Sequence, residues 1–88
     1  MKIRLSLPGV DSLKAKRRVI KSLKDRLRQR FNVAVAEMGY QDVWQSASIA
    51  VATVSPDGAY ANRTVSLVAE YVGRDSRLVM VDYEIEVF

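Results

Sequence analysis

Between residues 11 and 31 the apolar side chains keep a helical spacing: Leu13, Val19, Ile20, Leu23, Leu27 and Phe31. At 100° per residue they share one arc about 120° wide, so this segment is a helix that must lay one stripe on a larger apolar surface. The opposite face carries Lys14, Arg17, Arg18, Lys21 and Arg28. Asp25 sits within that face, four residues after Lys21 and three before Arg28. Such spacings allow ion pairs of about 0.2–0.5 kcal/mol each. Lys24, Arg26 and Arg30 flank the arc, where their aliphatic stems can cover apolar surface. Lys16 breaks the pattern by projecting into the middle of the arc. Residues 11–31 hold nine basic and two acidic residues, a net of +7, while residues 32–88 carry −5. The overall +4 therefore conceals a dipolar molecule.

The flanking sequence supplies strands for this helix to cover. Residues 2–8 alternate Ile3, Leu5 and Leu7 with Lys2, Arg4 and Ser6, the period of a half-buried strand, and Pro8-Gly9 ends it. Asp11 or Ser12 can cap the helix. Residues 32–38 form a second strand, with Val33 and Val35 set against Ala34 and Ala36. After a turn at 39–42, Val43-Trp44-Gln45 leads into a third strand over roughly 46–54. There Ala47, Ile49 and Val51 oppose Ser46, Ser48, Ala50 and Ala52. Ser55-Pro56 signals a second helix over about 56–72, with Ala61, Val65, Val68 and Val72 on one stripe and Gly73 as its stop. The last strand, about 77–87, alternates Val79, Val81, Tyr83, Ile85 and Val87 with Met80, Asp82, Glu84 and Glu86.

The order is βαββαβ. Right-handed crossovers place both helices on one face of a four-stranded antiparallel sheet, an α+β ferredoxin-like sandwich forming one domain over 1–88. The first and third strands are central and the fourth pairs with the first. Lys2 and Arg4 then lie across from Glu84 and Glu86 on the free sheet face, where opposite charges support pairing.

The stretch SLKAKRRVIKSLKDRLRQRFNVAVAEMGYQDVWQSA and the ending DYEIEVF resemble the YlxP-like family of small bacterial proteins. The resemblance covers most of the chain and implies the same ferredoxin-like fold. It implies no defined activity. Members are often encoded beside translation and ribosome-maturation factors, which points toward RNA or the ribosome. Many relatives carry Glu where Ala15 stands here; with Ser12 that Glu would complete a capping box.

Phosphate binding needs several cations on one rigid surface so that counterion release accumulates. Lys14, Arg17, Arg18, Lys21 and Arg28 meet that requirement, against the plainer alternative of a solvated helix face. The pI near 9.7 agrees with a polyanionic partner. The free sheet face presents Ala34, Ala36, Ser48, Ala50 and Ala52, too small to stack bases as RNA-recognition sheets do. These residues suit close packing against a second copy, so a homo-oligomer through this face is expected. Lys16 could serve as a base with a lowered pKa, but the commoner arrangement is a lysine at the end of the core that snorkels out. Gln41, Trp44 and Gln45 could form a stacking and hydrogen-bonding corner, or Trp44 could simply close the end of the core. Asp82, Glu84 and Glu86 are more simply a charge ladder than a cation site.

The chain has no cysteine and no histidine, which removes Ser-His-Asp and Cys-His chemistry and the commonest metal ligand. Its four glycines sit at turns or helix ends, so no phosphate-binding glycine loop is present. The expectation is a non-enzymatic protein without cofactor or metal. No secretory signal or long apolar run appears, so a cytoplasmic location and no membrane partner are expected.

Overall fold

The structure, a computed structural model, describes residues 1–40 and 42–87. The elements in chain order are β1 (Lys2–Ser6), α1 (Leu13–Arg30), β2 (Ala34–Glu37), β3 (Ser46–Ala52), α2 (Gly58–Gly73) and β4 (Val79–Glu84). The sheet is antiparallel with strand order β2-β3-β1-β4, the ferredoxin-like arrangement. Its helix-facing side contributes Ile3, Leu5, Val35, Ala47, Ile49 and Val51 to the core. From the helices come Ile20, Leu23, Leu27, Val65, Val68 and Val72.

Helix α1 starts where Ser12 Oγ accepts a hydrogen bond from the Ala15 amide at 3.0 Å. Its first turn contains no acid, so the reciprocal half of a capping box is missing. Ala15→Glu is therefore expected to stabilise the fold by about 0.5 kcal/mol, while Ser12→Ala costs about 1 kcal/mol. Urea denaturation of the two variants checks both signs.

Strands β1, β2 and β3 are each shorter than expected, and α2 and β4 differ for identifiable local reasons. Helix α2 begins at Gly58 and not at Pro56, because Asp57 is the better cap: its Oδ1 accepts from the amides of Ala59 (3.0 Å) and Tyr60 (3.4 Å). Ser55 Oγ instead accepts from the Asp57 amide, bracing the approach. Strand β4 is shorter than expected and irregular. Its pairing with β1 slips between Arg4 and Leu5, leaving Val81 as an extra residue. Tyr83 lies opposite Ile3, as simple alternation requires, but beyond the slip Met80 faces Leu5 and Val79 faces Ser6. Met80 packs against the core while Val79 is 54% exposed. The unbroken register ahead of the slip sets the cross-strand charges. Lys2 lies opposite Glu84 as expected, but Arg4 lies opposite Asp82 and not Glu86. Arg4 and Asp82 form an exposed ion pair at 3.6 Å.

Candidate functional site

Helix α1 projects its two faces as the wheel requires. Lys14, Arg17, Arg18, Lys21 and Arg28 are all exposed, while Lys16, Ile20, Leu23 and Leu27 form the buried stripe. The five cations are not equivalent. Lys21 Nζ donates to Asp25 Oδ2 at 2.9 Å, and Arg28 Nη1 lies 3.7 Å from the other oxygen. The Lys21 hydrogen bond leads in lowering the Asp25 pKa below the ordinary carboxylate value. Arg28 also reaches past the helix, donating from Nη2 to the Val35 carbonyl at 2.8 Å. Lys14, Arg17 and Arg18 form no ion pair among the described residues. The outward face thus combines three uncompensated cations with two that share one acid, a net of about +4 along roughly 20 Å of helix.

Lys16 does not snorkel. It is 1% exposed and sits in line with Ile20, Leu23 and Leu27. Its ammonium donates to the Tyr40 carbonyl and lies 3.3 Å from Glu37 Oε2. That oxygen is buried and has no hydrogen bond of good geometry, so the two charges are close without being aligned. Glu37 is thus the counter-charge for a lysine 21 positions earlier in the chain. The contact also holds the β2–β3 turn, in which Gly39 and Tyr40 both take positive φ (72° and 56°). Such a conformation is unusual at Tyr40, and the Lys16 bond to its carbonyl helps to hold it.

The turn brings an aromatic ring to the sheet face that lacked one in the sequence pattern. Tyr40 lines a cavity of about 360 Å³ with Lys2, Arg4, Ser48, Asp82 and Glu84, all on the side away from the helices. Strand alternation does not mark Tyr40 for that position, because the positive-φ bend at Gly39 and Tyr40 places it. Elsewhere on this face, Ala34, Ala36, Ala50 and Ala52 floor a shallow cavity of about 310 Å³, with Lys2, Glu84 and Glu86 beside it. Of the corner residues, Gln41 lies outside the described residues. Trp44 is 49% exposed, so it does not serve to close the end of the core. Gln45 turns toward the β1–α1 loop, its Nε2 donating to the Val10 carbonyl at 3.4 Å. Among the described residues no cluster of acids is placed to hold a metal ion, and no helix is long and apolar enough to cross a membrane.

A family model described as "Protein of unknown function (DUF503)" matches residues 1–85. The chain belongs to this family. It is also 38% identical over 61 residues to the uncharacterized protein YlxP of Bacillus subtilis (strain 168), an alignment covering 69% of this chain and 66% of that protein. The family model spans residues 12–47 and the first part of the ending, 82–85, in agreement with the resemblance to the YlxP-like family.

Proposed function

We propose that this DUF503 protein is a non-enzymatic cytoplasmic module that holds RNA, or an RNA-rich ribosomal surface, through the outward face of α1. The supporting observation is the row of Lys14, Arg17 and Arg18, exposed and without acidic partners among the described residues. A rigid helix displaying such cations binds phosphates by charge and shape and does not read bases. Engagement of about four phosphates makes the log–log salt dependence of single-stranded RNA binding close to −3.

The test is charge reversal at Arg17, Arg18 and Lys21. All three side chains point to solvent, so the variant is expected to fold while RNA or ribosome co-sedimentation falls and its salt slope flattens by about 2. Co-sedimentation unchanged from the parent protein overturns the proposal.

A second use, as a self-associating or protein-binding module, is favoured by the alanine floor of the free sheet face. Lys2 and Arg4 lie beside Glu84 and Asp82 there, so a two-fold related copy could meet opposite charge on either side of a small-sided centre. Sedimentation at high micromolar concentration decides it: a monomer removes this use.

A further inference from the structure

A second cationic surface lies on the other side of α1. Arg26 and Arg30 project about 150° around the helix from the Lys14–Arg17–Arg18 row, by helical geometry. They face the end of α2, where Arg74, Asp75 and Arg77 follow the last turn. These residues and Tyr71 line an open cleft of about 490 Å³. The arginines come from two separated stretches of the chain, 26–30 and 74–77, so no single local motif gathers them.

Two of the guanidinium groups are held in place. Arg77 donates from Nε and Nη2 to the two oxygens of Asp75, at 2.9 and 2.7 Å, and its own amide donates to Oδ1 at 3.0 Å. Asp75 is almost fully covered, and the Arg77 bond is foremost in holding its carboxyl below the ordinary carboxylate range. Arg30 lies over the Tyr71 ring, 4.9 Å from its centre, and that ring meets Phe31 edge-on at 6.1 Å. Arg26 and Arg74 are exposed and form no ion pair among the described residues.

Arginines near helix C-termini can serve only to complement the helix dipoles, and the magnitudes separate that role from a binding role. Four guanidiniums and one carboxylate leave a charge of +3 at the cleft. Each of the two helix ends contributes about −0.5. The surplus is about +2, more than the dipoles require. A phosphate monoester carries about −1.5 to −2 near neutral pH and offers three acceptor oxygens. Planar, pre-oriented guanidiniums suit those oxygens better than flexible ammonium groups do. Because Arg30 covers one face of Tyr71 and Phe31 meets its ring, the cleft offers recognition of the phosphate and not of an attached base.

We propose that the Arg26–Arg30–Arg74–Arg77 cleft binds a phosphate monoester, from either a free nucleotide or the 5′ end of an RNA. The site is independent of the outward face of α1. The test adds inorganic phosphate, then 5′-AMP, to the full chain and follows backbone amide NMR shifts. Saturable shifts confined to residues 26–31 and 71–77 are expected. Loss of charge-assisted bonds in the Arg26→Ala/Arg74→Ala variant should weaken them about tenfold or more. The Arg17, Arg18 and Lys21 charge-reversal variant should retain them. Two matched oligoribonucleotides, one 5′-phosphorylated and one 5′-hydroxyl, distinguish the sources. Tighter binding of the phosphorylated strand, lost in the Arg26/Arg74 variant, assigns the RNA end; equal binding of both strands beside saturable 5′-AMP binding assigns the nucleotide. No saturable shift with phosphate, equal shifts with chloride at matched ionic strength, or shifts unchanged in the Arg26/Arg74 variant overturn the proposal.

Discussion

Replacing Glu37 with Leu is expected to destabilise the protein by about 3–5 kcal/mol, because it leaves the ammonium of Lys16 in the core without its counter-charge. For a domain of this size that loss lowers the melting temperature by at least about 12 °C. The opposite single variant should be milder. Lys16→Met strands Glu37, but the Glu37 side chain is 18% exposed against 2% for Lys16, so its carboxylate can turn toward water. The cost should be about 1–2 kcal/mol, including the donor lost by the Tyr40 carbonyl. The double variant fills the same space with apolar atoms and removes both desolvated charges, so it should return to within about 1 kcal/mol of the parent. Urea midpoints at constant slope measure this cycle. A double variant as unstable as Glu37→Leu alone would show that packing at position 37, and not the charge pair, sets the cost. The double variant should also loosen the Gly39–Tyr40 turn, visible as faster amide exchange there.

The second large effect concerns the register of β4. Leu5→Ala is expected to cost about 3–5 kcal/mol, since Leu5 is fully buried on a central strand and its removal leaves a cavity. Its partner Met80 is half-buried, and Met80→Ala should cost about 2 kcal/mol. Val79→Ser should change stability by less than about 0.5 kcal/mol, because the slip at Val81 turns Val79 to the free face opposite Ser6. Uninterrupted alternation from Tyr83 back to Val79 predicts the reverse order, with Val79 costly and Met80 cheap. Chemical denaturation of the two β4 variants separates these registers.

The two examples show where the sequence is informative and where it is not. Period-two and period-3.6 patterns locate all six elements, and the separation of Ile20, Leu23 and Leu27 from Lys14, Arg17 and Arg18 appears directly on a helical wheel. These features repeat over many residues, so each position reinforces the next. A bulge is one residue that breaks such a repeat, and nothing in VMVDYE distinguishes Val81 from its neighbours. The start of α2 is ambiguous in the sequence for a related reason: Ser55-Pro56 and Asp57 are both valid start signals, and the hydrogen bonds from Ala59 and Tyr60 to Asp57 decide between them. Lys16 is visible as a misfit, but its partner Glu37 is not, because the pairing depends on how α1 lies across β2. The arginine cleft is hidden for the same reason, being assembled from both helix ends and the loop after α2.

The bond from Arg28 to the Val35 carbonyl bears on the solubility of the folded chain. Val51 spends its own amide and carbonyl on Met1, so Val35, opposite it on the outer strand, turns its polar backbone groups away from the sheet. Such an outward carbonyl is a template on which a strand of another molecule can add, the first step of edge-to-edge aggregation. The guanidinium of Arg28 already occupies it. One residue of the cationic helix therefore acts as a gatekeeper for the sheet margin. A charge change at Arg28 would disturb that margin as well as the helix surface, whereas changes at Arg17, Arg18 and Lys21 leave it covered.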